Sequence, residues 1–594
     1  GERGAAGAAG AAGAAGAAGA AGAAGATGAA GAAGAAGAEG AEGGEGAAGL
    51  GPALGALRAA SPWGGAGDGD PPAARALYVH THLDFDPRGR LARRHREVVE
   101  VLRPDGAPRL RALRVAHVPS AETLAVERAW VWRGGARLPP ARVSRRALSD
   151  PQARLYFEAV EEVVEMPPLA AGDVVEWAWS ITEQHPDPEE VRVHGELVPL
   201  QGPEPRAEVR LTLGARARAR LRVAVEGRGA WVERDEGAGA VVARALPPLA
   251  DEPLAPAGAS AAAYVHLSVF ATWESVRALY HALLTAALEG SGALRDVAAK
   301  WTRGARTDEE RLRALYDEVT RRVRYVGLEL GRHSFEPAAP RDTLARGFGD
   351  CKDRAALMIA LARAVGVPLY FVMVRTRDTG AVEVAGAASL SAFNHAALYA
   401  PTLGRFLDPT VSQHDIWALP PLDAGAQALL VDPEGPAGAP RDPTAPAPRG
   451  GLLPRIPHPP PAAHAVELTL RAPRAGEGAP RWARGVAEWR MTGPAAAEAR
   501  ARLSEGAGAA RGWAREALDG RWGAPEGADD RLEVAVEGAA PARDPLVVRA
   551  WRPAPPPALP PLLRRLAWLP RHAPAAARRA PWVRAATREA LCAP

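Results

Sequence analysis

The chain has 594 residues, enough for three or four domains of ordinary size, each with its own core. Its net charge of +4 is small for that length and implies no strongly basic or acidic partner. Two cysteines, Cys351 and Cys592, are too few and too far apart for a disulfide framework, and the count does not fix the redox compartment.

Nearly all the positive charge is arginine, with Lys300 and Lys352 the only lysines, and alanine, glycine and proline abound. This is the imprint of a GC-rich coding sequence, and it weakens any helix prediction that rests on alanine alone. No apolar run reaches the length of about eighteen residues that spans a bilayer, and no signal-peptide pattern opens the chain. A start on Gly1 instead of methionine fits a processed or partial product that has lost an export signal.

From Gly1 to Gly49, glycine stands at every third position, but no proline occurs before Pro52. Without proline the collagen period lacks the residue that pre-orders a triple helix, so 1–75 is expected to be a flexible low-complexity leader. Residues 76–262 change to short alternating runs, among them Leu77 to His80, Arg96 to Leu102, Trp130 to Trp132, Val174 to Trp179 and Val209 to Leu213. Such runs, broken by Asp-Gly, Gly-Gly and Pro-Pro, predict an antiparallel β-sandwich. Arg216, Arg218, Arg220 and Arg222 would then share a solvated strand face, with no aromatic platform to make it a nucleic-acid stripe. His80 and His82 also share a face and lack a third ligand, so a surface pair is expected in place of a metal site.

Residues 263–434 read as a mixed domain. The period turns helical from Ala271, and Thr307 with Glu310 forms a capping box ahead of Leu312, Leu315, Tyr316, Val319 and Val323. Gly349-Asp350-Cys351-Lys352-Asp353 follows, with Asp350 as N-cap and an apolar run that Gly366 and Pro368 end. That run is apolar almost all the way round, which predicts a buried helix with a thiol at its mouth. Strands are expected at Leu369 to Thr376, Asn394 to Ala400 and Arg405 to Asp408. Residues 435–462, dense in proline and glycine, read as a linker. The remainder, 463–594, is expected to be a second β-rich domain that stops short of completion, with strands at Ala465 to Arg471, Gly485 to Met491, Leu532 to Val536 and Leu546 to Trp551 around a helical segment at Ala495 to Leu518. The class is multi-domain α+β.

A helix start favours the thiolate of Cys351, while Asp350 and Asp353 oppose it, so the thiol needs a basic partner. His395 and Asp408, on neighbouring strands after the helix, can supply a base and an acceptor that orients it. A bland alternative stays open at this point: a buried cysteine, a surface histidine and a turn aspartate are each common. No acidic run has the spacing of a calcium loop, and His333 and His414 stand isolated in the sequence, so no metal or cofactor is expected.

Gly349 to Asp353 with its buried helix, Arg324-Tyr325-Val326-Gly327, Phe393-Asn394-His395 and Leu407-Asp408-Pro409-Thr410 together resemble the bacterial branch of the transglutaminase-like superfamily. The region from Ala76 to Leu246, including Gly172-Asp173-Val174-Val175-Glu176, is similar to the domain of unknown function that commonly precedes that core. Ala465 to about Trp551 is similar to its β-rich companion. The resemblance implies a papain-like core at 263–434, a buried helix packed on an antiparallel sheet. It makes Cys351 the nucleophile, His395 the general base and then acid, and Asp408 the residue that orients His395. It also implies a thioester acyl-enzyme drawn from a protein or peptide substrate, resolved by water or by an amine, and a place in the bacterial envelope or periplasm. The backbone N–H of Cys351 is the simplest oxyanion donor. The rival expectation is a catalytically silent envelope module, binding or scaffolding, on the same fold.

Overall fold

The computed structural model describes residues 51–60, 72–149, 155–184, 193–226, 232–249, 263–432, 454–458, 466–471, 484–514, 533–537 and 546–553, short gaps within these spans apart. The expected leader up to Gly49, most of the expected linker and the last forty residues with Cys592 lie outside them.

Alternation builds the N-terminal domain. In the strand Arg206–Leu213, Ala207, Val209, Leu211 and Leu213 are buried and the residues between them are not, the two-residue period of a pleated strand with one face in a core. The strand is part of an eight-stranded sheet, in the order Val232–Asp235, Ala240–Leu246, Arg206–Leu213, Ala74–Phe85, Leu91–Val101, Val174–Glu183, Glu122–Arg133, Ala136–Leu138. Two three-stranded sheets share its core. One orders Gly195–Pro199, Tyr264–Ser268 and Arg222–Glu226, and the other Ala112–His117, Val160–Glu165 and Arg142–Ala147.

Four details differ from the sequence reading. The first strand pairs in parallel with Arg206–Leu213 inside an otherwise antiparallel sheet, a long-range return that no local pattern encodes. Residues Ala215–Arg220 form a helical turn and a half instead of a strand, because alanine and arginine are both strong helix formers. Gly51–Ala60, inside the expected leader, is a helix whose Leu54 and Leu57 pack on Leu77, Val98 and Val174, and its Arg58 pairs with Glu100 at 2.7 Å. Tyr264–Ser268 lies past the expected border at 262 yet pairs with two N-terminal strands. His80 Nε2 and His82 Nδ1 both meet Thr212 Oγ1, at 2.9 and 2.8 Å, across the parallel pair.

The central domain wraps four helices and a sheet around one helix, Cys351–Ala364. Lys352 to Ala362 of this helix are all buried, as the apolar run requires. Around it lie Trp273–Leu288, Arg295–Trp301, Asp308–Arg322 with the Thr307/Glu310 capping box, and Pro340–Arg346. The sheet is antiparallel, in the order Arg405–Leu407, His395–Ala400, Tyr370–Arg375, Gln427–Val431. The strand Gln427–Val431 was not anticipated. The end of the expected linker continues this edge: Ile456 is buried, its N–H donates to Ala426 O at 2.9 Å, and Ala428 N donates to Pro454 O at the same distance.

The C-terminal domain is a four-stranded antiparallel sheet, Val466–Arg471, Arg484–Met491, Leu546–Pro553, Glu533–Glu537, covered by the helix Gly493–Leu503. Arg500 of that helix is buried and donates to Gln413 O at 2.9 Å, which ties this domain to the central one.

Candidate active site

Cys351 is the first residue of its helix, half-buried and free. Asp350 caps the helix by accepting from Asp353 N at 3.2 Å, and Asp353 reaches back to Asp350 N, a complete capping box. Gly349 has to be glycine here: a Cβ would stand 2.8 Å from Asp353 Cβ and 3.1 Å from Thr343 Cγ2. The first N–H groups of a helix have no acceptor within it, so they and the helix dipole face the thiol.

The two acids that opposed the dipole are compensated. Lys352 is buried and its ammonium bonds to Asp350, while Arg346 bonds to Asp353. Ala338 N donates to Asp353 Oδ1 at 2.8 Å. His333, isolated in sequence, has its Nε2 3.4 Å from Asp350 Oδ2 and 3.3 Å from Asp353 Oδ2. Burial pushes the Asp350 carboxyl up, helped by Asp353, against Lys352 and His333. Burial also works on Asp353, but His333, Lys352 and the Ala338 N–H outweigh it and hold its carboxyl low. Burial disfavours the Lys352 ammonium, and Asp350, Cys351 and Asp353 more than restore it.

The strand pair brings the other two expected residues together. Leu398 faces Leu407 in the register, so His395 and Asp408 fall on the same side of the pleat near the end of the pair. His395 Nε2 lies 3.2 Å from Asp408 Oδ2, and the Cys351 side chain stands beside the His395 ring. With Nε2 turned to the carboxylate, Nδ1 is the nitrogen left for the thiol. Asp408 Oδ1 accepts from Thr410 N at 2.7 Å, which fixes the carboxylate. Asn394 fixes the start of the strand, accepting from Thr376 N at 3.0 Å and donating to Thr376 Oγ1 at 2.7 Å.

The electrostatics of this end favour an imidazolium. Burial alone would strip His395 of its proton; Asp408, Asp423 and the neighbouring Cys351 reverse that and raise its pKa well above 6.5. Asp408 is pushed up by burial but held low by His395 and Thr410. Behind it lies Arg354, fully buried on the cysteine helix and donating to Thr410 O at 3.1 Å. Burial lowers its guanidinium to about 10, against the support of Tyr316 and Asp408.

Two contributors escaped the sequence reading. Asp423 lies in the turn before the fourth strand, with Oδ2 3.9 Å from His395 Nε2, and nothing in Pro421-Leu422-Asp423-Ala424-Gly425 distinguishes it from an ordinary turn. The N-terminal domain also holds the segment ahead of His395. His266 Nε2 meets Ser389 Oγ at 2.7 Å, Ser268 Oγ donates to Ala388 O at 2.5 Å, and Ala387 N donates to Glu226 Oε1 at 3.2 Å. Among the described residues, two groups of three have ligand atoms close enough to share a cation: His333, Asp350 and Asp353, whose acids already bond Lys352 and Arg346, and His395, Asp408 and Asp423.

Comparison with known proteins adds the following. The family model of the transglutaminase-like superfamily core matches residues 295–400, and that of DUF3857, a domain of unknown function, matches residues 87–238. A comparison with curated proteins finds no match. Among solved structures, a candidate protease from Parabacteroides distasonis is similar at 13% identity, with 82% of this chain and 94% of that one covered and a TM-score of 0.49. A candidate cysteine protease from Cytophaga hutchinsonii is similar at 11% identity over 54% of this chain and 76% of that one, with a TM-score of 0.16.

Proposed function

We propose, from the match of residues 295–400 to the transglutaminase-like superfamily core and of residues 87–238 to DUF3857, that this chain is a cysteine enzyme with Cys351 as nucleophile, His395 as base and acid, and Asp408 as orienter. The observation that carries the reading is the position of His395, bonded to Asp408 at 3.2 Å and set beside the Cys351 side chain at a helix start.

The substrate is the carboxamide or peptide bond of a protein or peptide. The Cys351 thiolate attacks the carbonyl carbon, forming a C–S bond and an oxyanion that the Cys351 N–H, aimed outward at the helix start, can hold. Collapse breaks the C–N bond, and the His395 imidazolium gives its proton to the departing ammonia or amine. In the resulting thioester, neutral His395 takes a proton from water or an incoming amine, the new C–O or C–N bond forms, and sulfur leaves as thiolate. Water as acceptor makes the enzyme a hydrolase, and an amine makes it a transferase.

The test is incubation with a glutamine-containing peptide and a labelled primary amine. Label in the peptide marks transfer, while ammonia or a new amino terminus without label marks hydrolysis. A thiol whose alkylation follows an ordinary pKa of about 8.5 and ignores His395→Ala would sink the enzyme reading and leave the silent binding module.

A further inference from the structure

The mechanism above makes no use of Asp423. Its side chain is 3% exposed, and its Oδ2 meets no N–H or hydroxyl donor at hydrogen-bond distance among the described residues, only the neighbouring Asp408 carboxyl. That oxygen approaches His395 Nε2 at 3.9 Å, the same nitrogen that Asp408 Oδ2 approaches at 3.2 Å. The turn that carries it is pinned on several sides. Asp423 N donates to Pro420 O at 3.1 Å, Ala426 N to Asp423 O at 3.0 Å, Gly425 N to Ile456 O at 2.8 Å, and Arg377 N to Leu422 O at 3.0 Å. The carboxyl is thus placed by the backbone, and a buried carboxyl oxygen with no donor of its own calls for a reason.

We infer that Asp423 is a positioning residue for His395, a second carboxyl that acts on Nε2 and keeps the ring charged beside the Cys351 thiolate. The inference rests on the Cys351–His395 reading given under Proposed function. The groups around it are His395 and Asp408 from the sheet and Asp378 from the turn after Tyr370–Arg375. Behind Asp408 lie Arg354 of the cysteine helix and Tyr316 of the helix Asp308–Arg322. Burial, with Asp408 and Asp378, pushes the Asp423 carboxyl up to about 7 against the pull of His395. In acid Asp423 is neutral, and Asp408 alone supports the imidazolium. As pH rises through about 7 the second carboxylate appears, just where an unsupported histidine would lose its proton. The ion pair therefore extends into alkaline solution.

The experiment is alkylation of Cys351 by iodoacetate from acid to alkaline pH, in a chain carrying Cys592→Ser. An anionic reagent senses the imidazolium beside the thiolate, so the rate rises as the pair forms and falls as His395 loses its proton. Asp423→Asn is expected to move the falling limb to lower pH by about 1–3 units, the effect of one charge at this range, with the rising limb in place. Asp423→Glu is expected to recover most of that shift. An unmoved falling limb in Asp423→Asn, or a uniform loss of rate at every pH, overturns the inference, provided that His395→Ala abolishes the limb. A falling limb that survives His395→Ala overturns the Cys351–His395 pairing itself, and this inference with it.

Discussion

Two groups in the central domain share one composition, a histidine and two aspartates with ligand atoms within 4.8 Å of one another, and they have opposite characters. At the helix start, His333, Asp350 and Asp353 are tied to Lys352, Arg346 and backbone N–H groups, so each carboxylate has a cation and a fixed donor. At the strand ends, Asp408 and Asp423 converge on one imidazole nitrogen, and one carboxyl oxygen has no donor of its own. The first arrangement stabilises a fold, because its charges are already matched. The second can exchange a proton, because its charges are matched only when His395 is protonated.

The largest expected effect breaks the second group. In the proposed reaction His395→Ala lowers the rate by on the order of 10²–10⁴, the usual contribution of a placed general base. The check is kcat/KM on whichever substrate the amine-incorporation assay identifies, measured at a temperature where the variant is still folded, because Asp408 loses its buried partner in the same substitution.

Breaking the first group should instead cost stability. Lys352→Met leaves Asp350 buried without its cation and is expected to destabilise the central domain by about 3–5 kcal/mol. Lys352→Met combined with Asp350→Asn recovers most of that loss. Thermal unfolding of the three chains measures it, and equal stability of Lys352→Met and wild type would show the network to be idle.

The two groups should also fail at opposite ends of the pH scale. Asp353 is held below its ordinary 3.8 in the fold, so its contribution is complete above that value and is lost as pH falls through the folded pKa. His395 is raised above 6.5, so its contribution is complete below 6.5 and is lost as pH rises through the folded pKa. Asp423 acts with His395 in direction: its pKa rises from 3.8 to about 7 on folding, so stability declines with rising pH across that window. Denaturant midpoints against pH are expected to flatten on the acid side in Asp353→Asn and on the neutral side in Asp423→Asn.

The smallest expected effect isolates burial from capping. Thr307 and Glu310 make the same kind of capping box as Asp350 and Asp353, but on an exposed helix start. Thr307→Ala is expected to cost about 1 kcal/mol, an ordinary cap loss, and a larger drop in the unfolding midpoint would point to a further role for that helix.

The local chemistry of the chain was enough to place Cys351 at a helix mouth. An N-cap aspartate, a capping acid three residues on, an apolar run and a closing Gly366 act over a few residues, so their meaning survives without knowledge of the fold. The alternating strands and the partnership of His395 with Asp408 were legible for the same reason, since a short hairpin sets their register. What only tertiary structure decided concerns charges and long returns. Lys352, Arg346 and His333 neutralise the helix-start acids, Arg354 is buried behind Asp408, and Asp423 arrives beside His395 from a turn with no distinguishing pattern. The parallel pairing of Ala74–Phe85 with Arg206–Leu213 belongs with these. A helix cap is satisfied by its neighbours in sequence, whereas a buried charge is satisfied by whatever the packed chain brings within a few ångströms, and sequence spacing carries no record of that approach.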